Sequence, residues 1–198
     1  MNPTSFNWEI DNLKSIGGNT VQVLGAPKVI ESQLGNAVEF NGETDQMVLN
    51  TNPLVGAIEF TVEVVFYPYS KGLEEQRFLH FQEIDEKRVL IETRLTDNNQ
   101  WFLDTFIKSG PSERTLFSEN YLHPLNAWYH VALIFKAGIM RHYVNGVEEM
   151  SAHVDFAPHK TGKTSIGSRL NQVSWYKGLI RNVRITHKAL SPAEFQGI

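Results

Sequence analysis

Apolar and polar residues alternate with a period of two along most of this chain, in short runs broken by glycine, proline and asparagine. The densest example lies between Asn126 and Gly146, where β-branched and aromatic residues fill Trp128 to Lys136 and Ile139 to Val144. Ala137-Gly138 separates the two runs and Asn145-Gly146 follows the second. Each pair suits a tight hairpin, because glycine takes a positive φ at little cost. The stretch therefore predicts three consecutive antiparallel strands. Successive side chains of a strand point to opposite faces, so Tyr129, Val131, Leu133 and Phe135 form a core face. Trp128, His130, Ala132 and Ile134 form the other, expected to be only partly wet.

The same grammar recurs elsewhere. Ala37 to Phe40 and Gln46 to Leu49 read as strands joined by a turn containing Asn41-Gly42. Ala57 to Tyr67 is the longest β-rich run, with Phe60, Val62, Val64 and Phe66 alternating against Glu59, Thr61, Glu63, Val65 and Tyr67. Arg77 to Gln82, Arg88 to Leu95, Gln100 to Ile107, Thr164 to Ser168 and Gly178 to His187 complete the stronger signals. Thr20 to Leu24 fits an edge strand, and Ser151 to Lys163 a loop. Only Ser191-Pro192-Ala193-Glu194 reads as a helix start, with serine as N-cap and proline in the first turn.

About twelve short strands with turns between them predict an all-β, two-sheet antiparallel sandwich of jelly-roll type. Crossover helices have no room between these strands, which excludes a parallel α/β fold. A chain of 198 residues without internal repeat or linker is expected to be a single domain over 1–198.

Composition narrows the function classes. The absence of cysteine removes disulfides, thiolate nucleophiles and cysteine-based zinc sites. The net charge of −4 is mild and the basic residues are scattered, so the stripe expected of a nucleic-acid surface is missing. No apolar run approaches the roughly 20 residues of a membrane span. The start, Met1 to Phe6, lacks a signal-peptide pattern. Compartment stays open between cytoplasmic, for a chain complete as given, and extracellular or cell-surface, for a piece of a larger secreted protein.

Six stretches, in order along the chain, resemble the laminin G-like jelly rolls of the concanavalin A-like lectin and glucanase superfamily. Gly35-Asn36-Ala37-Val38-Glu39-Phe40-Asn41-Gly42 is similar to that family's G-x-A-x-x-F-D-G hairpin, and Phe60 to Pro68 to its F-T-x-E-x-W-x-x-P strand. Trp128-Tyr129-His130-Val131-Ala132 resembles W-x-H-V-A, and Tyr143-Val144-Asn145-Gly146 matches Y-V-N-G. Ile166-Gly167 with Tyr176 to Ile185 resembles I-G … F-x-G-x-I-D-x-V-R-I, and Ala189 to Glu194 matches A-L-S-x-x-E. Asn41 stands where aspartate is usual and Arg181-Asn182 where an acidic residue is frequent, which weakens transfer of acidic calcium ligands.

The resemblance implies a sandwich that binds on one sheet face or at its rim, on a scaffold that hosts lectins, adhesion modules, glycosidases and lyases alike. The leading expectation is a non-catalytic carbohydrate-binding or adhesion-type module with a glycan or polysaccharide as partner; a protein surface is a further option. Candidate ligand contacts are Trp175, Arg169, Asn171, Trp128, His80, Arg94, Arg141 and Tyr143, because aromatic faces stack on sugar rings while amides and guanidiniums bond hydroxyls. The rival is a glycoside hydrolase or polysaccharide lyase using Glu63, Glu92 and His130. Glu83-Ile84-Asp85-Glu86 lacks the last glutamate of the glucanase pattern and reads as a charged turn. No cofactor is required; calcium is the candidate metal, with Glu43, Asp45 and Asn171 as oxygen donors.

Overall fold

The computed structural model describes residues 4–83 and 87–198. In chain order its strands are β1 (Ser5–Glu9), β2 (Ser15–Ile16), β3 (Asn19–Leu24), β4 (Lys28–Ser32), β5 (Gly35–Asn41), β6 (Gln46–Leu49), β7 (Phe60–Pro68), β8 (Glu75–Gln82) and β9 (Arg88–Leu95). They continue as β10 (Gln100–Ser109), β11 (Ser112–Phe117), β12 (His123–Pro124), β13 (Tyr129–Lys136), β14 (Ile139–Val144), β15 (Val147–His153), β16 (Lys163–Ile166) and β17 (Lys177–Thr186). The one helical element among the described residues is a 3-10 turn at Pro192–Glu194.

Two antiparallel sheets result. The first runs β15-β14-β13-β7-β17-β5-β4, with β1 also on β17. The second runs β11-β10-β9-β8-β16-β6-β3-β2, with β12 on β10. This all-β arrangement is that of a jelly-roll sandwich. The hairpins fall where glycine and asparagine place them: Ala137 and Gly138 have φ of 48° and 79°, Asn145 and Gly146 of 49° and 80°. Positive φ at both central residues gives the turn whose twist matches that of the flanking strands.

The alternation assigns the core correctly. Phe60, Val62, Val64 and Phe66 of β7 meet Tyr129, Val131, Leu133 and Phe135 of β13 inside the sandwich. At its centre Phe66 stacks on Phe78 of the second sheet with centroids 4.7 Å apart and meets the edge of Trp101 at 5.2 Å. Tyr176, fully buried against Phe40, Phe66 and Phe78, plugs one end. Burying one such ring is worth roughly 1.5–3 kcal/mol. A polar bridge also crosses the core, from Thr105 Oγ1 of the second sheet to His142 Nδ1 of the first at 3.1 Å.

Five strands escape the sequence pattern, two of them, β2 and β12, only two residues long. β1, β4 and β11 are peripheral, with burial too broken to leave a clean period. Ser151 to His153, expected in a loop, instead ends β15. The face of the first sheet that should have been half wet is dry. Chain beyond β17 folds back across it, with Phe195 packed beside His130, Ala132, Ile134 and Tyr143.

Candidate functional site

The outer face of the second sheet is built by the polar half of the same alternation. Arg77 and His80 come from β8, Arg88, Leu90, Glu92 and Arg94 from β9, and Phe102, Asp104 and Phe106 from β10. Register sets Arg77 opposite Glu92, His80 opposite Leu90, and Glu92 opposite Asp104. A cleft of about 240 Å³ crosses this face; Glu113 and Thr115 of β11 close one side and Arg169, from the β16–β17 loop, the other.

Carboxylates and guanidiniums interlock on the floor. Arg77 Nε donates to Glu92 Oε2 at 2.9 Å and its other end pairs with Glu75. Arg94 Nε donates to Asp104 Oδ2 at 2.6 Å. Burial, with Asp104 close by, pushes the Glu92 carboxyl up to about 7 despite Arg77, and burial likewise raises Asp104 against the pull of Arg94. Two buried acids side by side cannot both ionise cheaply. At the aromatic edge, the Arg88 guanidinium lies 5.3 Å from the Phe106 ring and that of Arg94 5.2 Å from Phe117, which is 50% exposed.

His80 is wholly buried on this face. Burial, then Arg169, Arg88 and Arg77, drive its pKa down to about 3, so the ring is neutral. Its Nδ1 accepts the Leu170 backbone N–H at 3.2 Å, which puts the proton on Nε2. That Nε2, like Asp104 Oδ1, is buried without a hydrogen-bond partner among the described residues. Unpartnered buried polar atoms are few in native folds and call for an explanation.

Of the residues singled out from sequence, His80, Glu92, Arg94 and Arg169 gather here. The others do not. Glu63 and His130 lie on the first sheet beneath the chain's closing segment, 0% and 3% exposed. The Glu63 carboxylate accepts from His130 Nε2 at 3.0 Å, Arg184 Nε at 2.5 Å and the Gln196 N–H at 2.8 Å. Burial alone would raise its pKa; these bonds outweigh it and hold the carboxyl below its ordinary value. Glu63 is wholly buried and its carboxylate fully bonded, while His130 borders a cavity of about 340 Å³ beside Asn145 and Phe195 with its Nε2 turned onto Glu63, so the two clasp the chain end.

Tyr143 is buried against Phe195, its hydroxyl donating to Glu148 at 2.8 Å, and Arg141 lies near the same carboxylate. Trp128 rests edge-on to Tyr67 at the far end of that face. Trp175 is half-buried and Asn171 exposed in the β16–β17 loop, outside the cleft.

Asp45 Oδ1 accepts the Ala26 N–H at 2.8 Å and Oδ2 the Asn41 N–H at 3.0 Å, so its carboxylate fastens the turn, while Glu43 is exposed. Among the described residues no three His, Asp or Glu side chains gather as a metal site. Ile84, Asp85 and Glu86 of the charged turn lie outside the described residues.

Sequence reasoning missed Arg77, Asp104, Phe106 and Glu113. The signal for Asp104 was present: Phe102, Asp104 and Phe106 share a face by period two.

Against known families, residues 41–196 match the laminin G-type model described as "Concanavalin A-like lectin/glucanases superfamily". The chain belongs to this superfamily. No curated protein sequence matches it. Among solved structures, the superfamily's sandwich resembles domain 4 of AbnA, a GH43 extracellular arabinanase from Geobacillus stearothermophilus, in complex with arabinotriose. Identity there is 19%, the TM-score is 0.75, and the match covers 98% of this chain and 97% of that one. The binding domain of Botulinum Neurotoxin DC in complex with SialylT gives 14% identity and a TM-score of 0.71, over 96% of this chain and 49% of the other. A heptameric SAP-like pentraxin from Limulus polyphemus gives 14% identity and a TM-score of 0.60, over 79% and 77%. At such identities the likeness establishes the fold alone.

Proposed function

We propose that this chain is a non-catalytic carbohydrate-recognition module that holds its glycan in the Arg77–Arg94–Asp104 cleft on the outer face of the second sheet. One observation carries the reading: ring faces at Phe106 and Phe117 stand beside guanidiniums at a cleft that Asp104, with Oδ1 left unpaired among the described residues, also lines. Sugars present an apolar ring face and directional hydroxyls, which such a lining matches. The arabinotriose complex of the similar arabinanase domain supports the class of ligand.

Titration calorimetry against arabinan, xylan, pectin and glucan fragments tests it. Binding to at least one is expected, weakened roughly 10-fold or more in Phe106→Ala and Arg94→Ala. Unchanged affinity in both variants would place the ligand elsewhere, with Trp175 and Trp128 the next to truncate.

A second reading, hydrolysis of a glycosidic bond, is favoured by the Glu92 and Asp104 pair, since glycosidases use two carboxyls of which one holds its proton near neutrality. Release of reducing ends by the wild type, abolished in Glu92→Gln, would establish it. Absence of release across the same panel would reject it.

A further inference from the structure

The four arginines of the cleft divide into two kinds. Arg77 and Arg94 are ion-paired to Glu75, Glu92 and Asp104. Arg88 and Arg169, at the His80 end, form no ion pair among the described residues, and Arg88 Nε is buried without a hydrogen-bond partner there. Among the described residues, the hydrogen bonds of Arg169 are made by its backbone.

Their crowding weighs on the neighbouring charges. Burial, then Arg88 and Arg77, lower the Arg169 guanidinium from its ordinary value, and His80 is kept neutral by burial and these same three cations. Like charges gathered on a partly buried floor oppose folding, and the cost is retained where a counter-charge belongs. A neutral sugar needs only the interlocked Arg77–Glu92 and Arg94–Asp104 pairs for its hydroxyls; the surplus guanidiniums call for an acid group. A planar guanidinium fork matches carboxylate or sulfate oxygens in two parallel bonds. The neutral His80 ring lies buried next to them and adds no further charge.

Building on the proposed recognition of a glycan, we infer that the cleft selects an acidic one, its carboxylate or sulfate group seated between Arg88 and Arg169 beside His80.

The experiment compares polymers that differ only in charge: polygalacturonate against its fully methyl-esterified form, and dextran sulfate against dextran, by titration calorimetry at low and at about half-molar salt. One charged member is expected to bind roughly 10-fold or more tighter than its neutral counterpart, consistent with charge-assisted hydrogen bonds. The preference should fall in high salt and collapse in Arg88→Gln and Arg169→Gln, with circular dichroism and melting curves checking the fold. Preference for polygalacturonate identifies a carboxylate ligand, preference for dextran sulfate a sulfate ester. Equal binding of charged and neutral members overturns the inference and leaves glycan recognition standing. A preference that survives in both variants also overturns it, and no binding to any of the four, nor to neutral arabinan or xylan, overturns both readings.

Discussion

Glu92 and Asp104 stand opposite one another across the β9–β10 pair, and each carboxyl is held by its own guanidinium, Arg77 for the one and Arg94 for the other. Two like groups at opposed positions are tolerated because each has a cation of its own. The cleft floor is thereby a rigid, preset lattice.

Breaking one strut of that lattice should cost more than dismantling it. Arg94→Met leaves Asp104 buried beside Glu92 without its cation, and a loss of roughly 3–5 kcal/mol in urea unfolding is expected. Arg94→Met with Asp104→Asn should recover a large part of it. A double variant as unstable as the single one would show that the pair does not act as a unit.

Acid should unfold the protein early. His80, His142 and His159 are neutral in the fold, with pKa values lowered by burial from 6.5 to about 3, 4 and 4. Below pH 6.5 the unfolded chain binds protons that the native state refuses, so stability falls as pH drops through the window from about 6.5 to 4. Glu92, raised to about 7, works the other way, favouring the fold as pH falls from about 7 to 4.5. The three histidines outnumber the raised acids Glu92 and Asp104, so unfolding near pH 5 should take up protons net and stability should fall toward acid. Melting temperatures that stay flat between pH 7 and 5 would contradict this.

Glu63→Ala should free the chain end. Arg184 and the Gln196 N–H lose their common acceptor, and breaking a buried pair costs roughly 3–5 kcal/mol. Faster hydrogen exchange at Gln196 and readier proteolysis beyond Leu190 are the expected readouts. Exchange at wild-type rates would deny the clasp its role.

Two glycines with similar dihedrals separate backbone strain from crowding. Gly146 and Gly167 have φ of 80° and 90°; a Cβ on the first meets nothing within 4 Å, whereas on the second it falls 2.3 Å from the Phe40 ring. Gly146→Ala should cost about 1 kcal/mol. Gly167→Ala should cost more by roughly 1–3 kcal/mol of overpacking. Equal losses would mean that Phe40 moves aside freely.

Period two made the sandwich legible, because inward residues such as Val62, Val64, Val131 and Leu133 are uniformly apolar. It could not say which outward face stays open. Glu63 and His130 look like cleft residues in sequence, and only the return of Phe195 and Gln196 across β13 and β7, a contact far along the chain, buries them. Conversely, Asp104 passed unnoticed between Phe102 and Phe106, since a lone acid in an apolar strand gains meaning only once register sets it against Glu92. Arg169 does lack the acid that Arg77 has in Glu75 and Arg94 in Glu92 two residues before, but that absence gains meaning only once the β16–β17 loop carries it to the cleft.

The fold-back of residues 190–196 also bears on laboratory handling. It shields Ala132, Ile134 and Tyr143 from solvent, so a shortened version stopping before Leu190 would present a greasy plateau in mid-sheet and tend to clump. Recombinant boundaries should therefore carry through Gln196, with any fusion partner joined by a spacer that leaves Phe195 free to seat.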